Sequence, residues 1–458
     1  VNFCYENPAG EEATVRLITI FAALFIFLLN HSPCCSAAKR YQFASLYQIT
    51  RPQANQKTEV LLQGFTWNAK VNSKEGEWYN HLKSKTEHLK RIGITHVWFP
   101  PVSRSVSPQG YMPGDYYDLG TSDNKTFYGS EEELISAIDN LKNTGIIPVA
   151  DIVINHRTAS HQEDEVWNVF HHQSGKMIWE KWALAKGDYA GTGNPDTGEN
   201  FEPAPDIDHT NPKVQQDLIE WLNWLQTDIG FQGFRFDYVK GYQGKYVQKY
   251  LEASKPVFSV GEYWSSMDYT DQFVLKPNQD AHRQEIVNWV DSAAGLPSTF
   301  DFTTKGILQE ALLRKELWRL KDCQNKASGV LGWWPSRSIT FLDNHDTGSE
   351  QAHWPFPEEY LLAGYAYILT HPGTPCVFWD HLYKRDPAIS TFIEEMVELR
   401  HEQGLHSESV LKITKASTDQ YRAIIDDKIY LILGRIFEEP PSPWNQRMRG
   451  DHFSIYTR

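Results

Sequence analysis

From residue 60 onward, short apolar runs alternate with stretches of helical spacing. VLLQGFTW (60–67) reads as a buried strand, and a helical stretch through His88 and Leu89 ends at Gly93 before the next apolar run, THVWFPP. EEELISAIDNLKNTG places Leu134, Ile135, Ile138 and Leu141 on one face, with Gly145 as the stop, and IIPVADIVINH follows as a strand. Asn211-Pro212 is a helix start, Val214, Leu218, Leu222 and Leu225 form its apolar face, and Gly230 closes it ahead of GFRFDYVKGY (233–242). VFSVGEYW, STFDF, SITFLDNHD and CVFWD complete a series of eight strand candidates. Apolar strands alternating with helices predict a parallel sheet, and eight of them predict a closed (β/α)8 barrel; a doubly wound sheet also fits the alternation. Two segments break the rhythm. Residues 157–213 are long, rich in Gly, Pro, Asp and His and weakly periodic, an excursion from the third strand-to-helix loop. From 404 onward, VLKITKAS, YRAIIDD, KIYLILG and HFSIYTR predict a small antiparallel sheet domain.

Composition narrows the reading. The 458 residues are 41% hydrophobic and 22% charged, ordinary for a globular chain. A formal net charge of -14 argues against a nucleic-acid partner and suits an uncharged or cationic one. Many of the 16 Trp are expected in the core, and a surplus can also line a sugar site, where flat apolar ring faces stack on aromatics. Five cysteines, Cys4, Cys34, Cys35, Cys323 and Cys376, form no disulfide framework and no zinc spacing; Cys376, in an apolar run, reads as a buried thiol.

The polar residues converge on one end of the predicted strands. Strand three carries Asp151, Asn155 and His156, strand four Arg235 and Asp237, strand five Glu262, and strand seven Asp343, His345 and Asp346. Arg235 and Asp237 share a strand face by the period of two, and alone they would read as a structural ion pair. Charge at the ends of four strands is harder to attribute to packing, because barrel active sites are built at that rim. Asp237, Glu262 and Asp346 with Arg235 and two histidines permit glycoside hydrolysis, which needs one carboxylate nucleophile and one protonated acid. Arg235 would hold Asp237 charged and oriented, and Glu262 would keep its proton in the less polar setting of Tyr263 and Trp264.

DIVINH, GFRFDYVKG, VGEYW and FLDNHD, in that order, resemble the four signature segments of the alpha-amylase family of glycoside hydrolases. QGFTW, QGYMPGDYYDL, GTGNPDTG, PDIDH, FDFTTKGIL, GWWP and WPFP narrow the likeness to the plant-type members. The resemblance runs from about residue 58 and thins after 405. It implies Asp237 as the nucleophile, Glu262 as the general acid/base and Asp346 as the third carboxylate that holds substrate hydroxyls. It implies Arg235 as the group that positions Asp237, His156 and His345 as sugar contacts, Tyr111 as a stacking ring, and Lys240 and Trp264 on the leaving-group side. Trp333-Trp334 match a pair that holds starch granules in some relatives, and buried core tryptophans fit them equally. Asn155, Asp196, Asp206 and the Gly241 carbonyl match a calcium site between barrel and excursion. Further calcium sites of plant-type members are not expected, because Ala185, Lys186, Asn200 and His171 or His172 stand where acidic residues belong.

The expected organisation is a signal peptide over 1–38, a linker over 39–57, the barrel over 58–156 and 214–403, an inserted calcium-binding domain over 157–213 and a C-terminal sheet domain over 404–458. LITIFAALFIFLL (17–29) is short for a membrane span, Arg16 precedes it, and Ser36-Ala37-Ala38 offers a cleavage site. A cleaved secretory signal and a secreted monomer are therefore expected; a signal-anchor is the rival. The expected activity is retaining, endo-acting hydrolysis of alpha-1,4-glucosidic bonds in starch, glycogen or maltooligosaccharides. The alternatives are a transglycosylase or alpha-glucosidase of the family, a starch-binding protein without activity, and a catalytically silent barrel such as the heavy chain of an amino-acid transporter.

Overall fold

The computed structural model describes residues 57–348, 350–435 and 438–458. The expected signal, the linker up to 56 and Cys4, Cys34 and Cys35 lie outside the described residues. Eight parallel strands close into a barrel in chain order: β1 (Leu61–Gln63), β2 (His96–Trp98), β3 (Ile147–Ile152), β4 (Gly233–Phe236), β5 (Phe258–Gly261), β6 (Ser298–Phe300), β7 (Ser338–Phe341) and β8 (Thr374–Phe378), which pairs back onto β1. Each overlaps one of the apolar runs that predicted it, β8 starting two residues before CVFWD. The strands are almost wholly buried because helices cover the outside and side chains fill the inside, so they need continuous rather than alternating hydrophobicity.

The connecting helices begin and end where local chemistry dictates. Helix α1 (Glu131–Asn143) starts in a reciprocal cap, in which Ser130 accepts from the Glu133 amide and Glu133 accepts from the Ser130 amide. It stops at Thr144, with Gly145 beyond it at φ +84°. Helix α2 (Pro212–Trp224) is capped by the Asn211 side chain, buries Val214, Leu218 and Leu222, and runs through a π-turn (Leu225–Ile229) to Gly230. Helix α3 (Phe302–Arg314) is capped by Asp301, a buried carboxylate that also accepts from the Leu331 amide and the Ser338 hydroxyl.

The excursion after β3 returns on itself. It holds a small hairpin (161–163 with 166–169), and its far end bridges back, with His156 opposite Asp206 and the Ile207 amide donating to the Asn155 carbonyl at 2.9 Å. Arg157 anchors its interior, fully buried among the rings of Tyr116, Phe170 and Trp179 and donating to the Gly114 and Met177 carbonyls.

The C-terminal sheet has five antiparallel strands: β9 (Leu411–Ala416), β10 (Gln420–Ile425), β11 (Ile429–Gly434), β12 (Asn445–Arg449) and β13 (Phe453–Thr457), in the order β9-β10-β11-β13-β12. The sequence pattern signalled four of them. Strand β12, NQRMR, is an exposed edge whose polar residues carry no alternation to read. Tyr421, Leu431 and Phe453 of this sheet join the same hydrophobic core as the barrel helices. Cys376 on β8 is buried, and burial pushes its thiol up to about 12. Among the described residues, no helix is long and apolar enough to cross a membrane.

Candidate active site

Parallel pairing sets the centre of the site. Asp151 on β3 lies in register with Arg235 on β4, and Arg235 with Val260 on β5, so strand ends that are remote in sequence become neighbours. Asp237 and Glu262 each stand one residue past a strand, and Asp346 stands on the loop after β7. Arg235 is fully buried, with its guanidinium over the Trp98 ring. Its Nη1 donates to Asp151 Oδ1 at 2.9 Å and to Asp237 Oδ1, while Nη2 lies 2.8 Å from Glu262 Oε1. That last contact brings opposite charges together but is misaligned for a hydrogen bond, leaving both atoms without such a partner.

One cation thus faces three carboxyl groups. Burial raises Glu262 well above the usual carboxylate range; Arg235 opposes the shift, and Asp237, Asp346 and Asp151 add to it. Burial likewise raises Asp151 to about 7, against the pull of Arg235 and the Tyr111 hydroxyl. Tyr263 lies against Trp289 and Trp264 stacks on Phe302 at 5.1 Å, while burial first and neighbouring negative charge after it raise the affinity of Glu262 for its proton.

The remaining predicted contacts surround this centre. Tyr111 gives its hydroxyl to Asp151 Oδ2 at 2.8 Å and stacks on His345 at 4.8 Å with a 7° tilt; Trp67, which no spacing singled out, is also parallel to His345 at 5.9 Å. Tyr111 and Trp67 remain partly exposed, a flat aromatic wall suited to a sugar face. His345 is buried, with Nδ1 lacking a hydrogen-bond partner and Nε2 3.4 Å from Asp346 Oδ2. Asp346 accepts from Gln351 Nε2 at 2.6 Å. His156 is only 1% exposed; it stacks on Phe201 at 3.9 Å and its Nε2 meets the Tyr111 carbonyl. Lys240 pairs with Glu199 of the excursion at 2.8 Å, and Trp264 is half-buried.

Beside this site lies an oxygen-rich cradle. Asn155 Nδ2 donates to Asp206 Oδ1 at 2.8 Å, leaving Asn155 Oδ1 buried with no hydrogen-bond partner. A Cβ on Gly241 would fall 1.9 Å from that same Oδ1, and a Cβ on Gly198 would fall 2.2 Å from the Gly241 carbonyl carbon. Only glycine permits these backbones to approach so closely. The turn that delivers Gly241 begins at Tyr238, held at φ +44°, a costly conformation for a bulky residue that the sequence does not announce. Burial raises Asp206 to about 7, and nearby Asp196 and Asp188 push the same way. Asp196 itself is exposed and accepts from the Thr197 amide. Among the described residues there is no group of three or more His, Cys, Asp or Glu side chains placed to hold a metal; the cradle combines carboxylates with an amide and a backbone carbonyl.

Residues 68–354 match the family model described as alpha amylase, catalytic domain, and residues 402–457 match the alpha-amylase C-terminal beta-sheet domain. The chain belongs to the alpha-amylase family. It is 45% identical over 377 residues to probable alpha-amylase 2 of Arabidopsis thaliana, covering 82% of this chain and 88% of that one. It is 44% identical over 404 residues to the chloroplastic alpha-amylase 3 of the same plant, covering 87% of this chain but only 44% of that longer protein. The solved alpha-amylase of Malbranchea cinnamomea superposes with a TM-score of 0.60 at 17% identity, over 83% of this chain and 84% of that one, a likeness of fold alone. The plant-type resemblance and the barrel with its C-terminal sheet are thus both found. Of the alpha-amylase site residues predicted, the structure gathers Asp237, Glu262 and Arg235 directly. Tyr111, His345 and Asp346 are in contact through His345, and Asn155, Asp206 and Gly241 through Asn155.

Proposed function

We propose that the chain is a retaining, endo-acting hydrolase of alpha-1,4-glucosidic bonds in starch-type glucans. The observation that carries the reading is the single guanidinium shared by two carboxyl groups, Asp237 at Nη1 and Glu262 at Nη2. Double displacement needs two carboxyl groups roughly 5 Å apart, and two groups on one guanidinium are close enough for it. Asp237 attacks the anomeric carbon while Glu262 passes its proton to the departing glycosidic oxygen. The covalent glycosyl-aspartate is then hydrolysed by water, from which Glu262 takes a proton back. The raised affinity of Glu262 for its proton supports the acid role. Asp346 holds ring hydroxyls and offsets positive charge as the bond breaks. Tyr111 stacks on the sugar, His345 and His156 bind its hydroxyls, and Lys240 and Trp264 serve the leaving-group side.

The test compares wild type with Asp237→Asn on a chain-blocked maltooligosaccharide and on soluble starch. Wild type should cleave both, and the variant should lose at least about 10³-fold in kcat. Equal release of reducing sugar by the two proteins would end the proposed mechanism. Binding without release by the wild type would favour a starch-binding protein.

We assign one calcium to Asn155, Asp196, Asp206 and the Gly241 carbonyl. The unpartnered Asn155 Oδ1 and the all-oxygen donor set fit a hard cation. When bound, the ion would neutralise the carboxylates and tie the excursion to the turn after β4, a structural service beside the reaction. Ala185 is buried and apolar, while Lys186 and Asn200 are exposed and bring no carboxylate, which supports a single site. Metal analysis of dialysed protein should return about one calcium per chain; a value near three would overturn the assignment.

The division into barrel, inserted domain and C-terminal sheet at 157–213 and 404, and the monomeric state, belong to the same reading. So does secretion by cleavage near residue 38. N-terminal sequencing of the mature protein tests the last point: a start near 39 supports it, and an intact 17–29 run opposes it.

A further inference from the structure

Lys305, from the FDFTTKGIL motif, has no part in the chemistry above, yet it is wholly buried on α3. Its ammonium reaches three acceptors: Gln309 Oε1 at 3.0 Å, the Trp354 carbonyl at 2.9 Å and Asp343 Oδ1 at 3.4 Å. Three acceptors use all three of its protons. Asp343 is equally buried and gathers the Thr347 hydroxyl at 3.0 Å, the Phe356 amide at 3.0 Å and His381 Nε2 at 3.3 Å. Burial would raise Asp343, but Lys305 and His381 hold it below its ordinary range.

These bonds grip both arms of the turn that carries His345 and Asp346. On the outgoing arm, Asn344 Oδ1 accepts from the Asp346 and Thr347 amides, and Thr347 is bonded to Asp343. On the returning arm, the His353 amide donates to the Asp346 carbonyl and the Trp354 amide to the Thr347 carbonyl. The Trp354 carbonyl then accepts from Lys305, and the Phe356 amide returns to Asp343. The circuit runs Lys305, Trp354, Thr347, Asp343 and back to Lys305.

We propose that Lys305 and Asp343 form a buried latch that positions the turn bearing His345 and Asp346, making Lys305 a positioning residue of the cleft. Its catalytic consequence rests on the proposed hydrolysis; the latch itself does not. Lys305→Met leaves Asp343 buried without its main counter-charge, whereas Lys305→Met/Asp343→Asn removes both charges. The double variant separates stability from positioning.

Melting temperature, kcat and KM on a chain-blocked maltooligosaccharide, and amide exchange by mass spectrometry are measured on the full chain. Lys305→Met should lower the melting temperature, lower kcat about tenfold or more with KM changed less, and speed exchange of peptides spanning 344–348 and 352–356 above the rest of the chain. The double variant should regain most of the melting temperature but not the kcat. Recovery of kcat together with melting temperature would reduce the pair to a packing element and overturn positioning. Unchanged exchange in those peptides would overturn the latch whatever the activity. A wild type that releases no sugar defeats the proposed hydrolysis, while the exchange comparison still decides the latch.

Discussion

Arg235 brings one charge to three carboxyl groups, and the consequences can be tested side chain by side chain. Removing a buried pairing partner is more damaging than the pair is stabilising, since the charges left behind stay desolvated. Arg235→Met should therefore destabilise the fold by about 3–5 kcal/mol, seen as a lower denaturation midpoint or lost soluble yield. Glu262 has the opposite sign. Its folded affinity for protons is raised, so between its unfolded and folded pKa the native state holds the extra proton and stability falls as pH rises. Glu262→Gln should melt above wild type at neutral pH, by roughly 1–3 °C, with the gap closing as pH drops below the unfolded carboxylate range. A melting temperature for Glu262→Gln that falls below wild type at pH 7 would mean that the contact with Arg235 outweighs the burial penalty. In the activity profile, the rate of wild type should fall with rising pH as Glu262 loses its proton, at a pH above that of an ordinary glutamate.

Short elements carry several duties at once. The ten residues after Gln232 supply strand β4, the Arg235–Asp237 pair, the left-handed Tyr238 and the Gly241 carbonyl of the cradle. Gly241→Ala is the sharpest test of this element, because the added methyl would stand 1.9 Å from Asn155 Oδ1. The variant should bind calcium at least tenfold more weakly in a titration of metal-free protein. Its melting temperature should also respond less to a chelator than that of wild type. Equal chelator sensitivity would place the metal elsewhere. Strand β6 supplies the contrast: Asp301 follows it at the same rim, yet all its carboxylate's bonds go to capping α3 and to Leu331 and Ser338. A carboxylate at a strand end is therefore not by itself a catalytic group.

At the scale of the molecule, barrel and C-terminal sheet share one core. Tyr421 on β10 is buried and bonds His371 Nε2 at 2.8 Å, and Arg400 donates to the Leu369, His371 and Gly373 carbonyls behind the helix Leu361–Thr370. A chain ending at residue 404 would expose this face, so it should be recovered insoluble or with a broad, non-cooperative melt. A sharp unfolding transition in that truncation would show the barrel to be self-sufficient.

The order of apolar runs was enough to read the alternating strands and helices, the excursion and most of the C-terminal sheet, because strand and helix periods and their Gly and Pro stops are local properties; the count of eight and the polar strand ends favoured a barrel over a doubly wound sheet. The residue types at the strand ends were enough to nominate Arg235, Asp237, Glu262 and Asp346. Strand β12 was hidden, since an exposed polar edge has no periodicity to betray it. The roles of Asp151, Trp67 and Gln351, the left-handed Tyr238 and the Lys305–Asp343 latch were hidden for a different reason. Each depends on tertiary neighbours and backbone geometry that a parallel register and a closed barrel impose, and on how much water that closure removes. Sequence alone determined which groups could do chemistry here; burial and distance, which only the tertiary structure supplies, decided which of them hold a proton, share a cation or merely cap a helix.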